Sequence, residues 1–434
     1  MSAAADQLTS ADLLRVATAG SVDDGKSTLI GRLLYDTKSV LADQLEQVEQ
    51  ASVRRHGEGV VDLSLLTDGL RAEREQGITI DVAYRYFTTG ARSFILADTP
   101  GHVQYTRNMV TGASTADLAI VLVDARHGVV EQTRRHTFIA SLLGLRHVTF
   151  AVNKMDLVDW DEDRFRAIEA ETTEMSRRLG IPDIHVIPIS ALHGTNVVEH
   201  GDSPGWYRAD VDHPTLLEHL ETVEVASDRN LTDVRFPVQW VIRPGDADSA
   251  ELHDYRGYAG QVSGGVLRPG TAVRVLPSGR ESTVARIETL TGDLDEAAPP
   301  LSVTVHLADD LDVSRGDVLV GLEDEHEAQV LRELEADVCW MSETPLRPGA
   351  RLLVKHLTTT TQARVEALLD RVDLHTLERE SGPVDAFGLN DIGRIRLRVK
   401  RPLVGDPYAQ DRATGAFILI DEGTNDTVAG GMIR

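Results

Sequence analysis

Nine consecutive residues, Gly20-Ser21-Val22-Asp23-Asp24-Gly25-Lys26-Ser27-Thr28, contain the pattern G-x-x-x-x-G-K-[ST] and stand between an apolar run and the amphipathic stretch 27–34. A glycine-bearing turn in that context points successive backbone N–H groups and a helix N-terminus at one spot, which suits a phosphate. The loop can then wrap a β-phosphate, Lys26 can neutralise β and γ oxygens, and Ser27 can ligate Mg²⁺. The chain has five lysines, and Lys26 alone lies in a Gly-Lys-Ser/Thr triplet, so one phosphate loop is expected.

A loop of this kind belongs to a βαβ unit, and the surrounding pattern agrees. Stretches 94–98, 118–124, 148–153 and 185–190 are apolar runs of strand length, separated by helical spacing at 131–144 and 161–180. After a helix-like 214–223 comes a polar stretch, 228–236, and then short alternating strands punctuated by Gly and Pro, as at 238–242, 258–262, 272–276 and 303–307. Arg268-Pro269-Gly270 recurs as Arg347-Pro348-Gly349, which suggests two barrels in tandem. The expected fold class is α/β: an N-terminal P-loop domain with a mostly parallel sheet (13–226, after a tail, 1–12), then β-barrel domains at 227–323 and 324–434. The loop 201–212, with Trp206 and Tyr207, is expected to serve packing.

Four further motifs carry chemistry. Asp98-Thr99-Pro100-Gly101-His102 follows an apolar run, so Asp98 falls at a strand's C-terminal end, where it can hold the Mg²⁺ shell through water while Gly101 N–H senses a γ-phosphate. Asn153-Lys154-Met155-Asp156 has the form N-K-x-D. The Asp156 carboxylate can accept from guanine N1–H and the exocyclic amine, two donors that adenine lacks, and the Lys154 stem can lie along the base. Ser190-Ala191-Leu192 is placed for a loop whose backbone reads guanine O6. Between the phosphate loop and Asp98 lies Glu73-Arg74-Glu75-Gln76-Gly77-Ile78-Thr79-Ile80, where Thr79 can complete the Mg²⁺ shell and let go after hydrolysis. The expected cofactors are GTP and Mg²⁺.

Forty-four basic against 69 acidic residues give a formal net charge of −25, a field that repels polyanions and argues against a nucleic-acid partner. The one local exception is the alternating set Arg394, Arg396, Arg398, Lys400 and Arg401, a basic strand that could face a polyanion but is read as a solvated face or an acidic-partner contact. Cys339 is the single cysteine, expected buried in a strand. No apolar run approaches the roughly 20 residues of a membrane span, and the first residues, with Asp6 and Asp12, do not read as a secretory signal. The cytoplasm is the expected location.

In order and spacing these motifs resemble the translation-factor class of GTPases. The run from Gly20 to Lys38 resembles more narrowly the family of GTPase subunits of bacterial sulfate adenylyltransferase, as do 66–70, 105–114, 406–408 and 414–421. The departures are Val103-Gln104, where the family would place an acidic residue first. The resemblance implies a nucleotidyltransferase complex that makes adenosine 5′-phosphosulfate and pyrophosphate from ATP and sulfate, driven by GTP hydrolysis on this chain, with the adenylylating site in a smaller partner subunit. It also implies that His102 orients the attacking water and that Val22 and Ile78 form an apolar gate before it. The alternative is a translation elongation factor delivering aminoacyl-tRNA.

Overall fold

The computed structural model describes residues 13–41, 43–46, 48, 50, 52, 62–66, 81–102, 105–207, 213–225, 229–244, 255–373, 376–380, 382 and 384–434. Ile78, Thr79, Val103 and Gln104 lie outside them. The described residues form two compact units.

The first unit holds a six-stranded sheet, β1 (Leu13–Ala19), β2 (Ala83–Thr88), β3 (Ser93–Asp98), β4 (Leu118–Asp124), β5 (His147–Asn153) and β6 (Asp183–Pro188), in the order β2-β3-β1-β4-β5-β6. Of these strands, β2 alone runs antiparallel to its neighbour. Strands β4 and β5 are buried at every position, which is why they read as unbroken apolar runs, whereas the edge strand β2 exposes Tyr84 and Tyr86. Its helices are α1 (Lys26–Asp36), α2 (Thr106–Ala113), α3 (Glu131–Leu142), α4 (Glu162–Arg178) and α5 (Leu216–Thr222). Asp161 caps α4 by accepting from the N–H groups of Asp163 and Arg164, and Glu162 and Arg178 place charges that match the helix dipole. Thr215 and Glu218 form a reciprocal box at the start of α5.

Two details differ from the sequence pattern. The run 185–190 ends as a strand at Pro188, and Ile189 stays apolar because it is buried in the same core as Leu14, Leu29 and Ile120. The polar stretch 228–236 conceals the start of a strand at Arg235, whose charge is buried. The Trp206-Tyr207 segment is packing: Tyr207 belongs to the first unit's core and donates to Pro214 O (2.8 Å), and Trp206 Nε1 donates to Trp160 O (3.0 Å).

Burial pushes the imidazoles of His136 on α3 and His219 on α5 down to about 3. Both therefore stay neutral in the folded chain while the unfolded chain protonates them near 6.5. Their contribution to stability is complete above that pH and is lost as pH falls towards the folded value, at about 1.4 kcal/mol per pH unit for each histidine. Denaturant unfolding at about pH 7 and about pH 5 should show this loss, and His219→Gln should remove about half of it. A pH-independent midpoint across that interval would contradict the assignment.

The second unit holds β7 (Arg235–Ile242), β8 (Gly257–Gln261), β9 (Ala272–Leu276), β10 (Arg280–Thr289), β11 (Gly292–Asp293), β12 (Ser302–Leu307) and β13 (Val318–Gly321) in one sheet. Pairing of β9 with β10 closes six of these strands into a barrel around Phe236, Tyr258, Ile287 and Val305. The next sheet contains β14 (Gln329–Trp340), β15 (Arg351–His356), β16 (Thr359–Asp373), β17 (Glu378–Glu380), β18 (Ile392–Gly405), β19 (Ala416–Ile420) and β20 (Thr427–Ile433), closed by β15 with β16 around Val338, Phe387, Leu397 and Leu419. Cys339 is buried on β14.

The repeated Arg-Pro-Gly turn occupies equivalent places. Gly270 N–H donates to Val284 O and Gly349 N–H to Val365 O, both at 2.7 Å, and both glycines have φ near +90° (95° and 90°), which disfavours any side chain. Arg235, 1% exposed, ties the two barrels: its guanidinium binds Asp406 through Nε and Nη2 (2.8 Å each), Asp324 through Nη1 (2.6 Å) and His326 O through Nη2 (2.7 Å). Two carboxylates offset the desolvation of one guanidinium. The basic residues of β18 also have acidic partners within the barrel unit: Arg396 with Glu335 (2.7 Å), Arg398 with Glu333 (2.5 Å), Arg394 with Asp370 (3.7 Å) and Arg401 with Asp317 (3.9 Å). Lys400 donates to Gln362.

Candidate nucleotide-binding site

In a parallel sheet the loops after the C-terminal strand ends converge on one edge, and here β1, β3, β4 and β5 end at Ala19, Asp98, Asp124 and Asn153. The phosphate loop leaves β1, and Gly25 adopts φ 93° as it enters α1. A Cβ on Gly25 would lie 2.5 Å from Asn153 Nδ2, so only glycine allows the loop to approach the guanine motif so closely. The Lys26 amine is buried and donates to Gly20 O (2.9 Å) and Ser21 O (2.8 Å). Burial pulls its pKa down, opposed by the fields of Asp24, Asp98 and Asp23. Asp24 is buried as well and accepts from Ser21 N–H; burial raises its carboxyl, with that hydrogen bond acting the other way.

Asp98, Thr99, Pro100 and Gly101 are all buried beside this loop. A Cβ on Gly101 would meet Lys26 Nζ at 2.4 Å and Gly20 O at 2.6 Å, which places the turn directly against the cradle. The Thr99 hydroxyl donates to Thr18 O, so it pins the turn to β1 rather than reaching outward. His102 follows, half-buried, its ring 6.1 Å from that of Tyr105. Val22 is exposed. The expected switch residue Thr79 and the gate residue Ile78 fall outside the described residues.

Asn153 joins three loops. Its Nδ2 donates to Asp24 O (2.8 Å) and its Oδ1 accepts from Ala191 N–H (2.9 Å). The side chain is therefore a strut, and the Ala191 N–H, a natural reader of a base oxygen, is engaged by it in this structure. Arg32 on α1 holds the same loop through Ala191 O (3.2 Å) and Leu192 O. Ser190 is fully buried and its hydroxyl accepts from His193 N–H (3.3 Å), while Leu192 is exposed. Lys154 has φ 62° and its ammonium donates to Asp23 O in the phosphate loop. Asp156 lies in the first turn of a short helical segment, Met155–Val158, and lines a cavity of about 950 Å³ with Arg32, Tyr35, Lys38 and His193. His193 Nε2 lies 3.8 Å from its carboxylate.

One buried carboxylate at this edge lies outside the motifs. Asp124, at the end of β4, is 3% exposed in its side chain and pairs with Lys154 Nζ at 2.9 Å. Its signal was available: like Asp98 and Asn153, it is a polar residue closing an otherwise apolar strand.

The donor set suits the expected ligands. A hydroxyl at Ser27 and a carboxylate at Asp98 are hard oxygen donors of the kind Mg²⁺ takes, and the glycine-lined cradle that a Cβ would fill leaves backbone room for phosphate.

A family described as the elongation factor Tu GTP binding domain matches residues 11–227, and one described as GTP-eEF1A C-terminal domain-like matches 333–434. The bifunctional enzyme CysN/CysC of Mycobacterium tuberculosis (strain CDC 1551 / Oshkosh) is 56% identical over 97% of this chain, which spans 67% of that protein. Sulfate adenylyltransferase subunit 1 of Bacteroides fragilis (strain YCH46) is 52% identical, and that of Cellvibrio japonicus (strain Ueda107) 50%, each over 97% of this chain and 86% of the relative. With half of its residues shared along nearly its whole length, and with a nucleotide site of the elongation factor Tu type, the chain belongs to the sulfate adenylyltransferase subunit 1 family of GTPases.

Proposed function

We propose that GTP hydrolysis on this chain drives the formation of adenosine 5′-phosphosulfate and pyrophosphate from ATP and sulfate at a site carried by a smaller partner subunit. The observation that supports the nucleotide half of this reading is the meeting of two elements on the phosphate loop, the Asp98–Gly101 turn against Gly20 and Lys26 and the guanine motif through Asn153 and Asp24 O. Identity of about half with proteins named subunit 1 supports the coupling. The cytoplasm, where ATP and GTP are held, is the proposed place of action.

Ser27, and Asp98 through water, would hold Mg²⁺, with Thr79 completing the set. When bound, the ion screens charge on the β and γ oxygens. Lys26 and the loop N–H groups fix the phosphates, Gly101 N–H senses the γ-phosphate, and Asp156 holds the base edge. His102 then orients a water in line with the γ-phosphorus, so catalysis is positioning and electrostatics rather than covalent chemistry. His102→Ala should therefore keep GTP affinity and lose partner-stimulated turnover by about a hundredfold. Retained stimulation in a phosphate-release assay would remove that role.

The elongation-factor reading is less well supported. The basic face of β18 that an RNA backbone would need is occupied by cross-strand carboxylates. Purified chain should hydrolyse GTP faster when the adenylyltransferase subunit, ATP and sulfate are supplied together. Stimulation by ribosomes and aminoacyl-tRNA instead would select the alternative.

A further inference from the structure

We propose that Asp124 is a positioning residue for guanine-nucleotide binding, holding the Lys154 ammonium against the phosphate loop so that the base-reading loop and the phosphate cradle close as one body. The inference rests on the nucleotide reading above and adds to it a residue that lies outside all of the nucleotide motifs.

Asp124 and Asn153 are the last residues of β4 and β5 and face each other in register. From Asn153 the chain turns directly into Lys154, and Ala125 N–H donates back to Asn153 O (2.9 Å), so the two strand ends are fastened together. Asp124 Oδ2 lies 2.9 Å from Lys154 Nζ, and the same ammonium donates to Asp23 O in the phosphate loop. Lys154 thus bridges a buried carboxylate and a loop carbonyl. It does so with its backbone at φ 62°, a left-handed conformation that a residue with a side chain keeps only when its surroundings demand it.

The carboxylate is itself held in place. Arg126 donates to it from Nε (3.0 Å), Nη2 (2.6 Å) and its backbone N–H (2.9 Å). Burial acts to raise the Asp124 carboxyl, and the hydrogen bonds from Arg126 and Lys154 outweigh it, leaving the group well below the usual carboxylate range and ionised. Arg164 on α4 supports the turn from behind, donating to Ala125 O (2.8 Å) and Arg126 O (2.9 Å). The contacts run from α4 through the 124–126 turn and Lys154 to the phosphate loop, while Asn153 links that loop to Ser190-Ala191-Leu192. A charge at Asp124 fixes where the Lys154 stem lies, and that stem is the surface offered to the base.

A structural partner of Arg126 alone would stabilise the fold without acting through Lys154, and a double-mutant cycle separates the two roles. The readout is release of a fluorescent GDP analogue from the full chain in Mg²⁺. Wild-type protein is measured first; failure to retain the nucleotide would overturn the underlying nucleotide reading, and the inference with it. Asp124→Asn should speed release by about 10- to 100-fold, the worth of a charged hydrogen bond. In a Lys154→Met background the same change should add less than about threefold. Release at the wild-type rate, or the same acceleration in both backgrounds, would overturn the proposal while leaving nucleotide binding intact. Should Asp124→Asn not fold alone, Lys154→Met should itself speed release by about 10- to 100-fold and the double variant, which strands no ammonium, should stay within about threefold of it; wild-type release from Lys154→Met, or a larger gap between the two variants, would overturn the proposal.

Discussion

Replacing Asp156 with asparagine is expected to turn a GTP-selective protein into one that prefers xanthosine triphosphate, shifting the ratio of affinities by about four orders of magnitude. A carboxylate can only accept, which suits the two donors on the guanine edge; xanthine presents an oxygen where guanine has its amine and needs a donor opposite. The change is isosteric and sits on the wall of an open cavity, on a short turn bounded by the left-handed residues Lys154 and Asp159, so the backbone has no reason to move. Competition binding of the two nucleotides to both proteins provides the test. An unchanged preference would mean that Asp156 does not read the base.

Lys26→Ala should cost GTP about 2–5 kcal/mol of binding, roughly 30- to 5,000-fold in affinity. The amine lies buried between Gly20 O and Ser21 O, with Asp24, Asp98 and Asp23 all contributing negative field. Truncation would leave that field facing an incoming triphosphate without the Lys26 charge that balances it. Calorimetric titration measures the loss, and an unfolding transition equal to wild type would show that the fold is retained. Near-normal affinity would remove Lys26 from the site.

The parallel sheet was legible because its central strands are buried on both faces and so carry unbroken apolar runs, and the phosphate loop marks where the sheet binds. The tandem barrels were visible in one repeated turn whose glycines need positive φ. Polar residues used internally were harder to read. Arg235 looked like part of a polar connection because sequence polarity does not reveal that Asp324 and Asp406 accompany it into the interior. The alternating basic strand, read as a solvated face or an acidic-partner contact, gives no sign in sequence that the carboxylates of β14 and β16 lie across from it. At the site, composition of the motifs does not reveal how the proposed residues divide their labour. Thr99 and Asn153 hold loops together, which depends on carbonyls and N–H groups distant in sequence, and Asp124 acts from a strand end with no motif around it.

The most direct test of the account is titration of the purified full chain with GTP and, separately, with ATP in excess Mg²⁺. The expected result is saturable binding of one GTP per chain and no competition from ATP. Absence of GTP binding, or equal binding of the two nucleotides, would contradict it.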